Sequence, residues 1–169
     1  MSAEEIKWED ALAKPFLYEE LDWVGIYYMK TDDGGFIEIA PYVTNRAVQD
    51  RLDQVVGKDR WKNKFIETAE GMLCELSILV NGEWVTKSDG AEKKGREPLK
   101  TACSVAMKRA AVHWGIGRFL YYLPRLFGEI QSTKNRNYYR YTDKSKTTIW
   151  YMPDSNAIKI VKKATGEIE

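Results

Sequence analysis

The chain has 169 residues, of which 44% are hydrophobic and 30% charged, and a formal net charge of +1. This balance is ordinary for a soluble globular protein, and we predict one domain spanning 1–169. No apolar run reaches membrane-spanning length, and the acidic start MSAEEIKWED does not fit a secretory signal. Cys74 and Cys103 are isolated in apolar settings, so we expect buried free thiols and an intracellular, cytoplasmic location without a membrane partner.

The charges nearly cancel, but they are segregated along the chain. Residues 1–43 hold ten acidic residues and three lysines, a net charge of −7, so the remainder carries +8. Separation of negative and positive charge along the chain is typical of a protein that binds a polyanion. It also fits subunits that stack an acidic face on a basic face, and the two interpretations are compatible.

The first sixty residues predict two short helices and a hairpin. A short amphipathic helix is expected over 3–14. Two runs rich in aromatic and β-branched residues, 22–29 and 36–43, flank the turn signal TDDGG and predict a β-hairpin. Thr44 is the expected N-cap of a helix over 45–56, with Val48, Leu52 and Val55 buried and Gly57 as its end.

The middle of the chain predicts strands and then one long helix. Strands are expected over 61–67 and 73–80, and Asn81-Gly82 predicts a tight turn into a return strand over 83–87. A polar loop over 88–96 should follow. Pro98 then suits the first turn of a helix whose end is signalled by Gly115.

This long helix predicts a buried stripe and a cationic strip. The apolar positions recur at helical spacing and are mostly small: Leu99, Ala102, Cys103, Ala106, Ala110 and Trp114. On the remaining surface Lys100, Ser104 and Lys108 follow at four-residue steps. Arg109 and His113 form a neighbouring row.

Beyond Pro124, a linker QSTKNRN precedes a predicted hairpin over 138–152 centred on TDKSK. The last segment, AIKIVKKATGEIE, is expected to add a strand and then fray. Strands, hairpins and a packed long helix together predict an α+β fold.

Enzymatic chemistry has little support in the residue pattern. His113 is the one histidine, no Cys/His group has zinc spacing, and Gly57-Lys58-Asp59 lacks the rest of a phosphate-binding loop. We therefore predict a protein that is not an enzyme and needs no cofactor or metal. The alternative is a metal-dependent nuclease that uses Asp89, Glu92 and Lys94 in the predicted loop. A third hypothesis is a self-assembly module without DNA affinity.

The segment KDRWKNK predicts a row of cations on one face of a strand. Its basic residues stand at alternate positions: Lys58, Arg60, Lys62 and Lys64. Such a row suits a phosphate track. A charged face that protects an exposed strand is an almost equally good interpretation.

Four stretches of the sequence resemble the Rad52-type single-strand annealing proteins of double-strand-break repair. They are PFLYEELDW, YVTNRAVQDRLDQVVGKDRWKNKF, LSILVNGEWVTKSDGA and SVAMKRAAVHWGIGRFLYYLP, and they cover about 15–124 in the order found in that family. The resemblance implies a DNA-binding domain with a core over 15–124 and a C-terminal hairpin and tail over 125–169. Its fold would be a short antiparallel sheet packed on a long helix, a β-β-β-α core.

The resemblance also implies a function and a site. The protein would bind single-stranded DNA and anneal complementary strands without ATP, as a homo-oligomeric ring or helical filament. Arg46, Lys108 and Arg109 match the DNA-contacting motif of the family, and they would line a groove that holds phosphates. Lys100 matches a basic position ahead of the family's signature helix, and Lys87 lies in the matched WVTKSDG strand, so both are weaker candidates.

Two departures qualify this resemblance. Val112 stands where the eukaryotic members continue their basic row, so the groove would be less cationic than theirs. Those members also continue into a tail that recruits a recombinase and a single-strand-binding protein. The chain ends soon after its core, so the tail's partnerships are not carried over, and a single-strand-binding protein is only a candidate partner. The short length and the closeness of GIGRFLYYLP to bacterial forms favour a phage or bacterial recombination protein.

Overall fold

The computed structural model describes residues 7–32 and 34–169. They form two compact units, the first built from residues 7–14 and 43–118 and the second from residues 15–32, 34–42 and 119–169. Each unit combines helix with antiparallel sheet, which confirms the α+β class. That the chain forms one functional domain stays a prediction.

The structure has four α-helices and eight strands within the described residues. In chain order they are α1 (Trp8–Ala13), β1 (Leu21–Met29), β2 (Phe36–Val43), α2 (Asn45–Val55), β3 (Trp61–Glu67), β4 (Gly71–Val80), β5 (Glu83–Glu92), α3 (Pro98–His113), β6 (Leu126–Gln131), β7 (Tyr139–Thr142), β8 (Thr148–Pro153) and α4 (Ser155–Ala164). Short 3-10 turns occupy Tyr18–Glu20 and Arg118–Tyr122. No helix of the described residues has the length and apolar character needed to cross a bilayer.

The first unit opens with α1, which confirms the described part of the predicted helix; residues 3–6 of that prediction lie outside the described residues. Leu12 is fully buried, and the Trp8 ring lies 6.3 Å from the ring of Trp114. The Arg51 guanidinium of α2 donates to the carbonyl oxygen of Lys14 at 2.6 Å. Because this oxygen follows the end of α1, the arginine ties the two helices together.

Helix α2 forms as its sequence predicts. The Thr44 hydroxyl accepts a hydrogen bond from the Ala47 N–H at 3.2 Å, which satisfies one free donor of the first turn. Val48 and Leu52 are fully buried, whereas Val55 is only half-buried. Gly57 has a φ of +96°, a left-handed conformation that ends the helix at little cost for glycine.

The three-stranded sheet of this unit has the order β3-β4-β5 and is antiparallel throughout. Asn81 and Gly82 both have positive φ, as the predicted tight turn requires. The predicted loop over 88–96 is wrong in its first half, because β5 stays paired with β4 until Glu92 lies opposite Gly71. Backbone pairing overrides the polar, glycine-containing sequence there.

Helix α3 packs its small residues on this sheet. Ala102, Ala106 and Ala110 have no exposed surface, and the Trp114 indole N–H donates to the carbonyl oxygen of Leu76 at 3.1 Å. Gly115 follows with a φ of +93°, which confirms the predicted left-handed end. The stripe begins later than predicted, because Leu99 in the first turn is 55% exposed.

The second unit contains a five-stranded sheet of order β1-β2-β6-β8-β7. Both predicted hairpins are present, since β1 neighbours β2 and β7 pairs with β8 from Tyr139–Tyr151 to Thr142–Thr148. Strand β6, which the sequence did not predict, joins them by pairing with β2 and β8. Ile37 and Tyr151 are among the fully buried side chains of this unit.

The predicted strand at the C-terminal end is wrong, because this segment forms helix α4. The Asp154 side chain accepts a hydrogen bond from the Ala157 N–H at 2.7 Å, which makes it the N-cap. Ala157 and Val161 are fully buried and lie four residues apart, which is helical spacing. The N-cap and the four-residue spacing of the buried side chains therefore favour a helix more strongly than the β-branched residues of this stretch favour a strand.

Candidate nucleic-acid interface

All the predicted DNA-binding residues lie in the first unit, and three of them lie on α3. Arg109 is exposed and Lys108 is half-buried, next to each other on the solvent side of the helix. Lys100 is exposed two turns earlier, where its ammonium group pairs with the Glu97 carboxylate at 3.1 Å. The helix therefore presents its alanines to the sheet and cations to solvent.

The Arg109 side chain is held by a carboxylate from the sheet. Its Nε donates to Asp89 Oδ1 at 3.0 Å, and the other oxygen, Oδ2, lies 3.3 Å from Nε2 of His113. Arg109 and His113 are four residues apart, so they lie one above the other on the helix. Asp89 is opposite the buried Cys74 in the β4–β5 ladder, so its side chain points to the face that α3 covers.

The pKa of Asp89 reflects these contacts. Partial burial acts to raise the pKa of this carboxyl group. Hydrogen bonds from the Gly90 N–H, from Arg109 and from His113 outweigh the burial, and the pKa of Asp89 lies below its ordinary value. The folded protein therefore favours the charged carboxylate, which keeps the ion pair with Arg109 at neutral pH.

Two further cations lie at the C-terminal end of α3. The Lys87 ammonium donates to the carbonyl oxygen of His113 at 2.9 Å and lies 4.4 Å from the centre of the Trp114 ring. Arg118 donates to the carbonyl oxygen of Val112 at 2.7 Å. Carbonyl groups at a helix end carry partial negative charge, so both cations stabilise it. Lys87 is therefore placed where it caps α3.

The basic track predicted for KDRWKNK is only partly formed. Lys62 and Lys64 alternate on β3, but Lys58 and Arg60 precede the strand in a turn that the Arg60 N–H closes onto the Gly57 carbonyl at 3.1 Å. The prediction that one strand carries all four cations is therefore wrong, although the carbonyl oxygen of Arg60 still accepts the Leu79 N–H of β4 at 2.9 Å. The left-handed Gly57 redirects the chain, and strand geometry begins only at Trp61.

Lys62 and Lys64 do not share a surface with the cations of α3. They lie opposite Ser77 and Glu75 of β4, positions that alternate with the buried Cys74 and Leu76 beneath α3. The two lysines are therefore on the sheet face turned away from the helix. There the Lys62 ammonium lies 4.0 Å from the centre of the exposed Trp84 ring. Two separate cationic surfaces result.

Arg46 lies in the first turn of α2 and is exposed. Helix α2 packs against α3, so Arg46 belongs to the same helical layer as Lys108 and Arg109. Predicted DNA-binding residues therefore lie on two separate surfaces, one in the layer of α2 and α3 and the other on the sheet face of Lys62 and Lys64.

The structural premise of the nuclease alternative is wrong. Asp89 and Glu92 are three residues apart in a continuous strand, so their side chains point to opposite faces. Asp89 is held by Arg109 and His113, while Lys94 pairs with Glu92 at 2.5 Å. Across 7–32 and 34–169, no three His, Cys, Asp or Glu side chains are grouped to hold a metal ion.

The sequence did not indicate the contact between Asp89 and Arg109. The signal that could have found it is the two-residue spacing of Lys87 and Asp89. If the return strand continues beyond Lys87, this spacing places both side chains on the same face of the sheet. Arg118 was likewise missed, although its position after Gly115 is typical of a cation that binds helix-end carbonyls.

Comparison with known proteins confirms the resemblance to Rad52-type proteins over part of the chain. The family model described as Rad52/22 family double-strand break repair protein matches residues 79–140, which include Lys87, Lys100, Lys108 and Arg109. The single-stranded DNA-binding protein DdrA of Deinococcus radiodurans is 40% identical over 91 residues, 52% of this chain and 43% of the relative. DdrA of Deinococcus deserti is 38% identical over 90 residues, 50% of this chain and 42% of the relative.

The chain thus spans less than half the length of these two curated relatives. No solved structure matches it.

The lowered pKa of Asp89 predicts a pH-dependent stability. A carboxyl group whose pKa is lower in the folded than in the unfolded state stabilises the fold at pH values above about 4, the ordinary value. This contribution is lost as the pH falls through the folded-state value. Urea unfolding should therefore show that Asp89→Asn destabilises the protein at pH 7 and has a smaller effect at pH 3.

The control is the same substitution in a background carrying Arg109→Ala and His113→Ala, where the difference between the two pH values should shrink. An Asp89→Asn effect of equal size at both pH values would contradict the prediction.

Proposed function

We propose that this chain, which resembles the Rad52-type proteins, binds single-stranded DNA and anneals complementary strands in recombination and double-strand-break repair. The observation that carries the proposal is the cationic side of α3, which lies within the segment that the family model matches. The name of the DdrA relatives, single-stranded DNA-binding protein, supports the same ligand. Arg46, Lys108 and Arg109 are the residues proposed to bind it.

The chemistry of this surface suits the phosphate backbone. Arginine and lysine side chains neutralise phosphates and release condensed counterions, and such contacts carry no sequence information. A protein that grips phosphates leaves the base edges of the strand available to a second strand. This is what annealing of arbitrary complementary sequences requires, and it uses no nucleotide hydrolysis.

Lys108 and Arg109 are proposed as the primary contact, in preference to Lys62 and Lys64. The preference rests on the match to the family model, which covers the helix and not β3. It also rests on the way Arg109 is held by Asp89, because an ordered arginine loses less side-chain freedom on binding. The lysines on the sheet face are proposed as a secondary track.

Paired substitutions on the two surfaces test this assignment, because each pair removes two positive charges. The variant Lys108→Ala/Arg109→Ala should bind a labelled single strand about tenfold or more weakly at low salt. Its plot of log affinity against log salt should be flatter by about 0.7 for each lost phosphate contact. Fluorescence anisotropy across a salt series measures both quantities.

The matched control is Lys62→Ala/Lys64→Ala, which should weaken binding less. If the control weakens binding more than the helix variant, the strand is bound by the sheet face instead. If the wild type binds no single-stranded DNA at low salt, the function itself is wrong and a self-assembly module becomes the better hypothesis.

Annealing is the second expected activity. Two complementary oligonucleotides carrying a donor and an acceptor fluorophore should pair faster with the protein than without it, in the absence of any nucleotide. Lys108→Ala/Arg109→Ala should slow this reaction, because strands that are not held cannot be presented to each other. Non-complementary strands are the control, and an absolute requirement for ATP, or cleavage of the strands, would contradict the proposal.

We also propose that the chain works as a homo-oligomer, either a ring or a filament. One chain of 169 residues can hold only a short stretch of DNA, and repeated copies would hold a longer one in register. Within the described residues, β3 and β5 each pair with β4 alone, so their outer edges can accept another strand. Light scattering should give a mass several times that of one chain. A monomer that still binds DNA would overturn this part alone.

A further inference from the structure

The ion pair between Asp89 and Arg109 has a geometry that matters for phosphate binding. The contact uses Nε, the inner nitrogen of the guanidinium, at 3.0 Å from Oδ1 of Asp89. The two outer Nη groups are not used by this contact, and they are the fork that binds phosphate oxygens in pairs. The Arg109 side chain is 49% exposed, whereas that of Asp89 is 24% exposed. The carboxylate thus supports the arginine from the protein side.

The carboxylate is itself fixed from three directions. Its Oδ1 also accepts the Gly90 N–H at 2.7 Å, and its Oδ2 lies 3.3 Å from His113 Nε2. The β4–β5 ladder fixes the backbone, since Asp89 is paired with Cys74 and Gly90 with Leu73. An acceptor held in this way cannot rotate away from Arg109 without breaking several contacts.

We propose that Asp89 is a positioning residue for nucleic-acid binding: it holds the Arg109 guanidinium so that its outer nitrogens face an incoming phosphate. The inference rests on the proposed function and extends it to a negatively charged residue. An arginine that is free to rotate loses more conformational freedom when it binds than one that is already ordered. Asp89 therefore favours binding although its own charge repels phosphate.

The opposite signs of these two effects make the inference testable. If Asp89 acted only through its charge, removing it would strengthen binding, by about threefold for a carboxylate some 6 Å from a phosphate in a water-like dielectric. If Asp89 positions Arg109, removing it weakens binding. A purely structural role would change the stability of the fold without changing the response to Arg109.

The experiment measures single-strand affinity at several salt concentrations for the wild type, Asp89→Ala, Arg109→Ala and the double variant. We expect Asp89→Ala to weaken binding about three- to tenfold, less than Arg109→Ala does. In the Arg109→Ala background the same substitution should no longer weaken binding, and it should strengthen it slightly. This coupling is the signature of one residue that acts through another.

Two further variants sharpen the result. Asp89→Asn keeps an oxygen acceptor for Arg109 and should bind better than Asp89→Ala. Glu83→Ala removes an exposed carboxylate from the same strand and face, about 20 Å away at strand spacing and beyond the screening length at 0.1 M salt. It should leave affinity unchanged. Circular dichroism and thermal unfolding confirm that each variant is folded at the assay temperature.

The outcomes separate this inference from the proposed function. Tighter binding by Asp89→Ala, or an equal effect of Asp89→Ala with and without Arg109, overturns the positioning role while the DNA-binding function stands. Absence of single-strand binding by the wild type overturns the function itself. Weaker binding that depends on Arg109 supports both.

Discussion

The close packing of α3 on β4 and β5 is the constraint on which the first unit depends. Ala102, Ala106 and Ala110 follow one another at four-residue steps on the buried face of α3. Their small side chains let the helix backbone approach the sheet, and a larger side chain there would push the helix away. The hydrogen bond from the Trp114 indole to the Leu76 carbonyl fixes the far end of the helix against the central strand. Once the helix is held this closely, Arg109 is within reach of Asp89. The packing of the core therefore determines the geometry of the cationic surface.

The same packing divides the basic residues into two classes. Lys87 and Arg118 stabilise the carbonyl end of α3, where each neutralises part of the helix dipole. Lys108 and Arg109 lie on the solvent side, one of them oriented by a carboxylate. A count of positive charges would treat these four as equal. Lys87 and Arg118 thus contribute to the fold, whereas Lys108 and Arg109 are proposed to bind phosphate because they lie on the solvent side of α3.

Sequence predicted the elements whose signals are local. The hairpin turn at Asn81-Gly82, the N-cap Thr44 and the glycine end of α3 each depend on a few neighbouring residues, and each is confirmed. Prediction from the sequence failed where pairing between strands that are distant in the chain determines the structure. Strand β5 extends through Gly90 because β4 is there to pair with it, and β6 exists because it joins two hairpins that are far apart in the chain. The contact between Asp89 and Arg109 depends on the length of β5 and on the packing of α3, so the spacing of Lys87 and Asp89 becomes informative only once β5 is known to continue beyond Lys87.

In the proposed annealing function, a carboxylate within the phosphate-binding surface would have both a cost and a benefit. The charge of Asp89 would reduce the net attraction for DNA, while its hydrogen bond would keep the Arg109 guanidinium ordered for a phosphate. Annealing requires that a strand be held in a regular geometry and then released as a duplex. In the proposed function, an arginine oriented by Asp89 would meet this requirement better than an additional mobile lysine would.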